Sequence, residues 1–259
     1  MVTESAAQLV KQAKQLKHKA DREEFGMFLA EGPQVVAAAI TAGVEIVAVF
    51  VSSDYDQAIN LSHLNLIEVS EREFKQISDT VTPQGVIAMV RYRKVALEDL
   101  EIRSGIMLYL EEIRDPGNLG TMIRTADAFG ADAVVLSPGC VDPTNDKVVR
   151  SSAGSVFNIP IVANVSPKEI SDYCSLQHGE LLVTELDGKN WLSEVRFSPG
   201  KFITWAVCNE ANGASAELTS VSSASVRIPM VGGAESLNAA VAAAVCLYVS
   251  MVGLNLRSE

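Results

Sequence analysis

The chain has 259 residues, 48% hydrophobic and 20% charged, which excludes a disordered polypeptide and permits one large or two modest domains with real cores. Its formal net charge of −11 excludes a uniformly basic nucleic-acid binder, because phosphate contacts need Lys and Arg. The charge is uneven, however: residues 1–96 carry ten Lys/Arg against twelve Asp/Glu, and the remainder eleven against twenty.

The first feature along the chain is a basic run, Lys11, Lys14, Lys17, Lys19 and Arg22. On one helix these residues would fall loosely on one side, as a solvated face or as a small patch for phosphates. "GMFLAEGP" then reads as a short strand and turn. "PQVVAAAITAG" reads as a helix with Pro33 at its first position and Gly43 after its end. "VEIVAVFVS" is a continuous β-branched run, the mark of a buried strand, and "LNLIEVS" is another. Ser70 and Glu73 form a capping box opening "EREFKQIS", and "GVIAMVRY" closes the set as a strand. This alternation predicts a small α/β domain ending near residue 96, within the charged "RYRKVALEDLE".

The alternation then resumes. "GIMLYL" is a strand, 118–130 a helix, "DAVVL", "ELLVTEL", "KFITWAV" and "VRIPM" strands, and 236–252 a long helix. Apolar strands of this kind suit a parallel sheet covered by helices on both faces. The uncharged stretch 237–254 reaches the length of a membrane span, but its alanines, Asn238, Ser250 and a Ser236 N-cap favour a buried or interface helix. The four cysteines, 140, 174, 208 and 246, form no CxxC pair and have no His at ligand spacing, so reduced thiols, no metal and a cytoplasmic location are expected. The N-terminus shows no apolar signal-peptide region.

Three stretches carry chemistry. In "EEIRDPGNLGTMIRTADAFG", Leu119, Met122, Ile123 and Ala126 form the buried stripe of a helix, and Arg124 points away from it. Arg124 could pair with Asp127 at i+3, and Asn118 could be an N-cap. "AVCNEANGAS" puts Asn209, Glu210 and Gly213 just past a buried strand, where ligands bind in open α/β sheets. "VRIPMVGGAESLNAAVAAAVCLY" repeats the pattern with Met230, Ser236 and Asn238 before a helix. Each could be a polar turn; the three would converge if their strands were neighbours.

"NLGTMIRTADAFGA", "NEANG" and "IPMVGGAESLNAAVAAAVCLY" together resemble, in order and spacing, the three motifs of the SpoU/TrmH family of RNA 2′-O-ribose methyltransferases. "FLAEGPQVVAAAI" and "TPQGVIAMV" resemble that family's N-terminal RNA-binding domain. The resemblance implies a C-terminal α/β trefoil-knot (SPOUT) methyltransferase domain over 97–259, a smaller ribosomal-protein-like α/β domain over 1–96, an S-adenosylmethionine (AdoMet) cofactor, a homodimer and no membrane. It implies Arg124 as the catalytic arginine with Asn118 supporting it, Glu210 as the second motif's glutamate, and Ser236 and Asn238 as the third motif's pair. Thr184, Cys208, Asn209, Gly213, Ile228, Met230 and Leu237 would hold the cofactor. Lys11 to Arg22, Arg91, Arg93, Lys94 and Arg150 would face RNA, with ribosomal RNA favoured over tRNA. Cys208 replaces a usual glycine, and Ala239-Ala240 a usual Val-Ser. A non-catalytic AdoMet- and RNA-binding protein is the alternative; a dinucleotide enzyme lacks its GxGxxG and ribose-binding acid.

Overall fold

The structure, a computed structural model, describes residues 5–55, 59–197 and 201–256. It divides into two compact units, Met1–Arg93 with Asp142–Asn158, and Lys94–Val141 with Ile159–Glu259. The sequence reading assigns 142–158 to the second domain, whereas these residues pack with the first unit.

In the first unit, Ser5 and Gln8 form a reciprocal capping box that starts α1 (Ala6–Gln15), which buries Leu9, Val10 and Ala13. The chain leaves the helix there and re-enters at α2 (Lys19–Phe25), so the basic run does not share one helical face. Arg22 is a correction to the sequence reading. It is 5% exposed, donating to Leu16 O at 2.9 Å, Lys17 O at 3.0 Å and Asp142 Oδ2 at 2.6 Å. This buried guanidinium, held by backbone carbonyls and Asp142, pins Asp142–Asn158 to the unit and is not presented to a phosphate.

Next come β1 (Met27–Glu31), α3 (Pro33–Thr41), β2 (Ile46–Ser52), β3 (Leu66–Val69), α4 (Glu71–Ile77) and β4 (Val86–Arg91). Pro33 sits in the first turn of α3, and Ser70 with Glu73 makes the capping box expected for α4. The sheet order is β1-β4-β2-β3, antiparallel except for β2–β3.

The second unit opens with β5 (Ile106–Glu111), α5 (Pro116–Ala128) and β6 (Ala133–Leu136). After α6 (Asp146–Ser151), which belongs to the first unit, it continues with β7 (Ile161–Ala163), α7 (Pro167–Leu176), β8 (Glu180–Thr184), β9 (Asn190–Trp191), β10 (Ile203–Cys208), α8 (Ala216–Val221), β11 (Ala224–Arg227) and α9 (Ala239–Gly253). The sheet is parallel throughout, in the order β7-β6-β5-β10-β8-β11-β9. Strands β5, β8 and β10 are almost wholly buried, which explains their unbroken apolar sequences.

Helix α9 starts three residues later than expected, with Asn238 rather than Ser236 as its N-cap. Its buried side is Ala239, Ala240, Ala243, Cys246, Leu247 and Ser250, and Trp205 Nε1 donates to Ser250 Oγ at 2.7 Å. That bond gives the serine of this apolar stretch a buried partner. No helix among the described residues is long and apolar enough to cross a membrane.

Candidate active site at the C-terminal sheet edge

Strand order decides where the motifs meet. β5 and β10 are neighbours, paired from Ile106↔Ile203 to Glu111↔Cys208, and β8 stands between β10 and β11. All run the same way, so the loops after β5, β8, β10 and β11 leave one edge of the sheet. The chain's order also reverses between β5 and β10, the kind of crevice where open α/β sheets bind ligands.

Helix α5 begins at Pro116, two residues before the start expected from the sequence. Its N-cap is Asp115, whose side chain accepts from Asn118 N at 2.8 Å. Asn118 is therefore not a cap, and its side chain is free for other work. Leu119, Met122, Ile123 and Ala126 are fully buried, as the helical spacing requires, and Arg124 is exposed. The Arg124 guanidinium makes no hydrogen bond or ion pair among the described residues, so the pairing with Asp127 is not formed.

Asn238 joins the three motifs. Its Nδ2 donates to Glu210 Oε1 at 2.8 Å and to Asn118 Oδ1 at 3.2 Å, and its Oδ1 accepts from Ala240 N at 3.0 Å and Val241 N at 3.3 Å. Glu210 Oε1 also accepts from Ala239 N at 2.7 Å. The first three N–H groups of α9 are thus consumed by Asn238 and Glu210. The helix terminus holds a carboxylate in place and is not left open for a phosphate. Ala240 is 5% exposed and its N–H donates to Asn238 Oδ1, so the cap is complete with an alanine at this position.

Beside this network lies a cavity of about 350 Å³. Every residue expected to hold a cofactor lines it: Thr184, Cys208, Asn209, Gly213, Ile228, Met230 and Leu237, together with Glu210 and Ser236. Thr184 Oγ1 donates to Ala206 O at 3.1 Å. Asn209 Nδ2 donates to Glu112 O at 3.1 Å and its Oδ1 accepts from Ala211 N at 2.9 Å, which folds the second-motif loop. Cys208 is 8% exposed; burial and the nearby Glu111 carboxylate push its thiol well up, so it acts as a neutral apolar wall. Glu111 itself accepts from Ser215 Oγ at 2.6 Å and Ser215 N at 2.9 Å.

Sequence reasoning missed Glu185, Leu186, Asp187 and Asn212, which also line the cavity. Three of them follow β8, whose only signal was its place after a buried strand. Among the described residues the lining contains three carboxylates, Glu185, Asp187 and Glu210, and no Lys or Arg. It therefore suits a ligand bearing positive charge and hydroxyls and disfavours a pyrophosphate. Among the described residues no group of three or more His, Cys, Asp or Glu is placed to hold a metal ion.

The expected RNA contacts are scattered. Lys11 and Lys19 are exposed, Lys14 is half-buried, and Lys17 Nζ donates to Ser78 O at 2.6 Å. Arg150, in the first unit, pairs with Glu31 and Asp79 at 3.4 Å each, and Arg91 pairs with Glu45 at 2.9 Å. These arginines are engaged with carboxylates of their own unit.

A parallel α/β domain with an acidic cavity and a conjoined amide–carboxylate network at its C-terminal edge defines a cofactor-binding enzyme of the open-sheet class. Residues 105–248 match the model of the SpoU rRNA Methylase family, and residues 7–88 that of the MRM3-like substrate binding domain. The chain belongs to the SpoU rRNA methylase family. It is 34% identical over 93% of its length to the 23S rRNA (guanosine(2553)-2′-O)-methyltransferase RlmP of Bacillus subtilis, spanning 95% of that protein. Its fold matches that of the SpoU methyltransferase AviRb from Streptomyces viridochromogenes at a TM-score of 0.85 and 26% identity, covering 97% of this chain and 99% of that one. It matches an AdoMet-bound rRNA methyltransferase from Sinorhizobium meliloti at a TM-score of 0.83 and 32% identity, covering 99% and 98%.

Proposed function

We propose that this protein methylates a ribose 2′-hydroxyl of 23S ribosomal RNA with AdoMet as donor. The observation that carries this reading is the hydrogen-bonded chain Asn118–Asn238–Glu210, which ties three separate motifs together at an acidic cavity. AdoMet bears a sulfonium and an ammonium against one carboxylate, and the cavity's three carboxylates, with no basic residue among the described lining, fit that charge. Glu185, Asp187 and the main chain around Cys208, Ile228 and Leu237 would hold it. When bound, it supplies an electrophilic methyl group for in-line transfer to an oxygen.

The protein's own part is alignment and charge. The Arg124 guanidinium has no partner among the described residues, so its planar donors are available for the phosphate beside the target ribose and for the alkoxide charge developing on the 2′-oxygen. A guanidinium is a poor base at neutral pH, so this electrostatic role is preferred to proton abstraction, and the 2′-hydroxyl proton leaves to solvent water. Asn118 presents its amide to the same edge, and Asn238 and the first N–H of α9 hold the Glu210 carboxylate in place.

The protein further acts as a homodimer in the cytoplasm. α9 leaves Val241, Tyr248 and Val252 exposed at 48%, 54% and 44%, beside a hollow lined by Asn118, Thr121, Thr125 and Asn238. An apolar stripe next to catalytic side chains suits a second copy of the same face. Arg124 does not line the cavity of its own chain, and a dimer gives it a second cavity to serve. RNA meets the first unit at Lys11, Lys14 and Lys19.

Incubating the protein with unmodified 23S rRNA and methyl-labelled AdoMet tests the reaction. Label in an alkali-resistant dinucleotide is expected, since a 2′-O-methyl blocks cleavage; label on a base would refute the reading.

A further inference from the structure

The second unit holds five described arginines. Arg103 pairs with Glu101, Arg114 with Glu112, and Arg196 donates to Ser193 O. The side chains of Arg124 and Arg227 make no hydrogen bond or ion pair among the described residues. Arg124 is accounted for by the proposed reaction, whereas Arg227 is not.

The Arg227 guanidinium carbon lies 3.5 Å from the centroid of the Trp191 ring, and its Nε is buried without a hydrogen-bond partner. Cation–π contact orients a guanidinium but leaves its in-plane N–H groups unused. In a unit that carries a large acidic excess, this arginine has no carboxylate partner among the described residues, so its N–H donors are open to an added ligand. Trp191 is 38% exposed, so part of the indole is open to solvent.

The pair is rigidly mounted. Trp191 N donates to Glu194 Oε2 at 3.2 Å, Asn190 Nδ2 to Ser225 O at 3.2 Å, and the next residue, Leu192, is buried. A Cβ on Gly188 would lie 2.6 Å from the carbonyl carbon of Val226, so glycine is what lets β9 dock on β11. Val226 and Ile228, the chain neighbours of Arg227, line the cavity, as does Asp187, while Arg227 and Trp191 stand outside that lining.

We propose that Trp191 and Arg227 form an RNA subsite beside the cofactor cavity. A base of the substrate strand stacks on the open indole, and Arg227 donates to the adjoining phosphate. Stacking on aromatics and planar arginine donors are the usual means of holding an unpaired nucleotide, and a nucleotide uses both halves of this pair at once. The inference rests on the RNA-methylating reading above and adds the place where a nucleotide flanking the target is held.

Two tryptophans occur in the chain, and Trp205 is fully buried, so quenching of intrinsic fluorescence by RNA reports on Trp191. Titrating the full-length protein with unmodified 23S rRNA transcript should give saturable quenching that Trp191→Phe abolishes. Arg227→Gln and Trp191→Ala should each weaken binding of the transcript about tenfold. Arg227→Gln should also lower the salt slope by about one. AdoMet affinity, read by calorimetry, should stay within about twofold, which separates an RNA contact from damage to the fold. Should Trp191→Ala fail to fold, the wild-type quench and Arg227→Gln still decide. Methylation by the wild type without any quench, or with unchanged affinity and slope in Arg227→Gln, overturns the subsite and leaves the proposed function standing. Quenching by a protein partner but not by RNA overturns it too. Absence of both methylation and RNA binding overturns the function itself.

Discussion

Asn238 performs two tasks with one side chain: it caps α9 through Oδ1 and holds Glu210 and Asn118 through Nδ2. Its truncation therefore separates a stability effect from a functional one. Asn238→Ala should cost about 1 kcal/mol as a lost cap, a fall in Tm of a few degrees, while turnover falls about a hundredfold because Glu210 and Asn118 lose their common partner. Thermal melts and steady-state kinetics on one preparation check this; a turnover loss no larger than the loss of folded protein would make the residue only a cap. Arg124 gives the complementary case. Arg124→Lys keeps the charge but loses the planar fork, so turnover should drop at least tenfold with AdoMet affinity unchanged. The helical spacing identified the face on which Arg124 lies, because periodicity is a local property. It could not decide against the Asp127 pairing, which depends on the rotamer the side chain takes.

At the scale of elements, α5 and α9 carry the dimer hypothesis. Val241→Arg should convert the protein to monomers in analytical ultracentrifugation and abolish methylation. Co-expressed Arg124→Ala and Asn238→Ala chains make the sharper test. If arginine and network act across the interface, mixed dimers retain one complete site and methylate RNA; if they act within one chain, both sites are broken and activity is absent. Strand and helix identities were largely legible in the sequence, down to the Ser70–Glu73 capping box. Helix α7 was overlooked although Ser166, Pro167 and Glu169 spell the same start signal. The single-helix reading of the basic run failed at the break between Gln15 and Lys19, because charge spacing says nothing of where Leu16 and Arg22 must turn inward.

For the molecule as a whole, what no local pattern could reveal was the traffic of the chain between its units. Segment 142–158 joins the first unit through Asp142, and beside that ion pair burial and the neighbouring Asp79 push the Asp146 carboxyl up to about 6. Glu31, Arg22 and Arg150 are the other charges that act on it. An acid raised from an ordinary value near 3.8 binds more protons folded than unfolded between the two values, so it withdraws stability as pH rises through about 6. Asp146→Asn should accordingly raise the melting temperature at pH 7.5, and the gain should vanish below about pH 4; an equal gain at both pH values would contradict the assignment. The convergence of three loops was likewise conditional on strand order, which a parallel sheet settles only in three dimensions. The motifs could be quoted from the sequence, but the bond between Asn238 and Glu210 could not.

The central claim is that this site transfers a methyl group to a ribose of 23S rRNA. Mapping 2′-O-methyl positions across 23S rRNA from cells with the gene, without it, and with it carrying Asn238→Ala tests the claim most directly. One position should be methylated in the first strain, unmethylated in the second and mostly unmethylated in the third. An identical 2′-O-methyl map in all three strains would contradict the account.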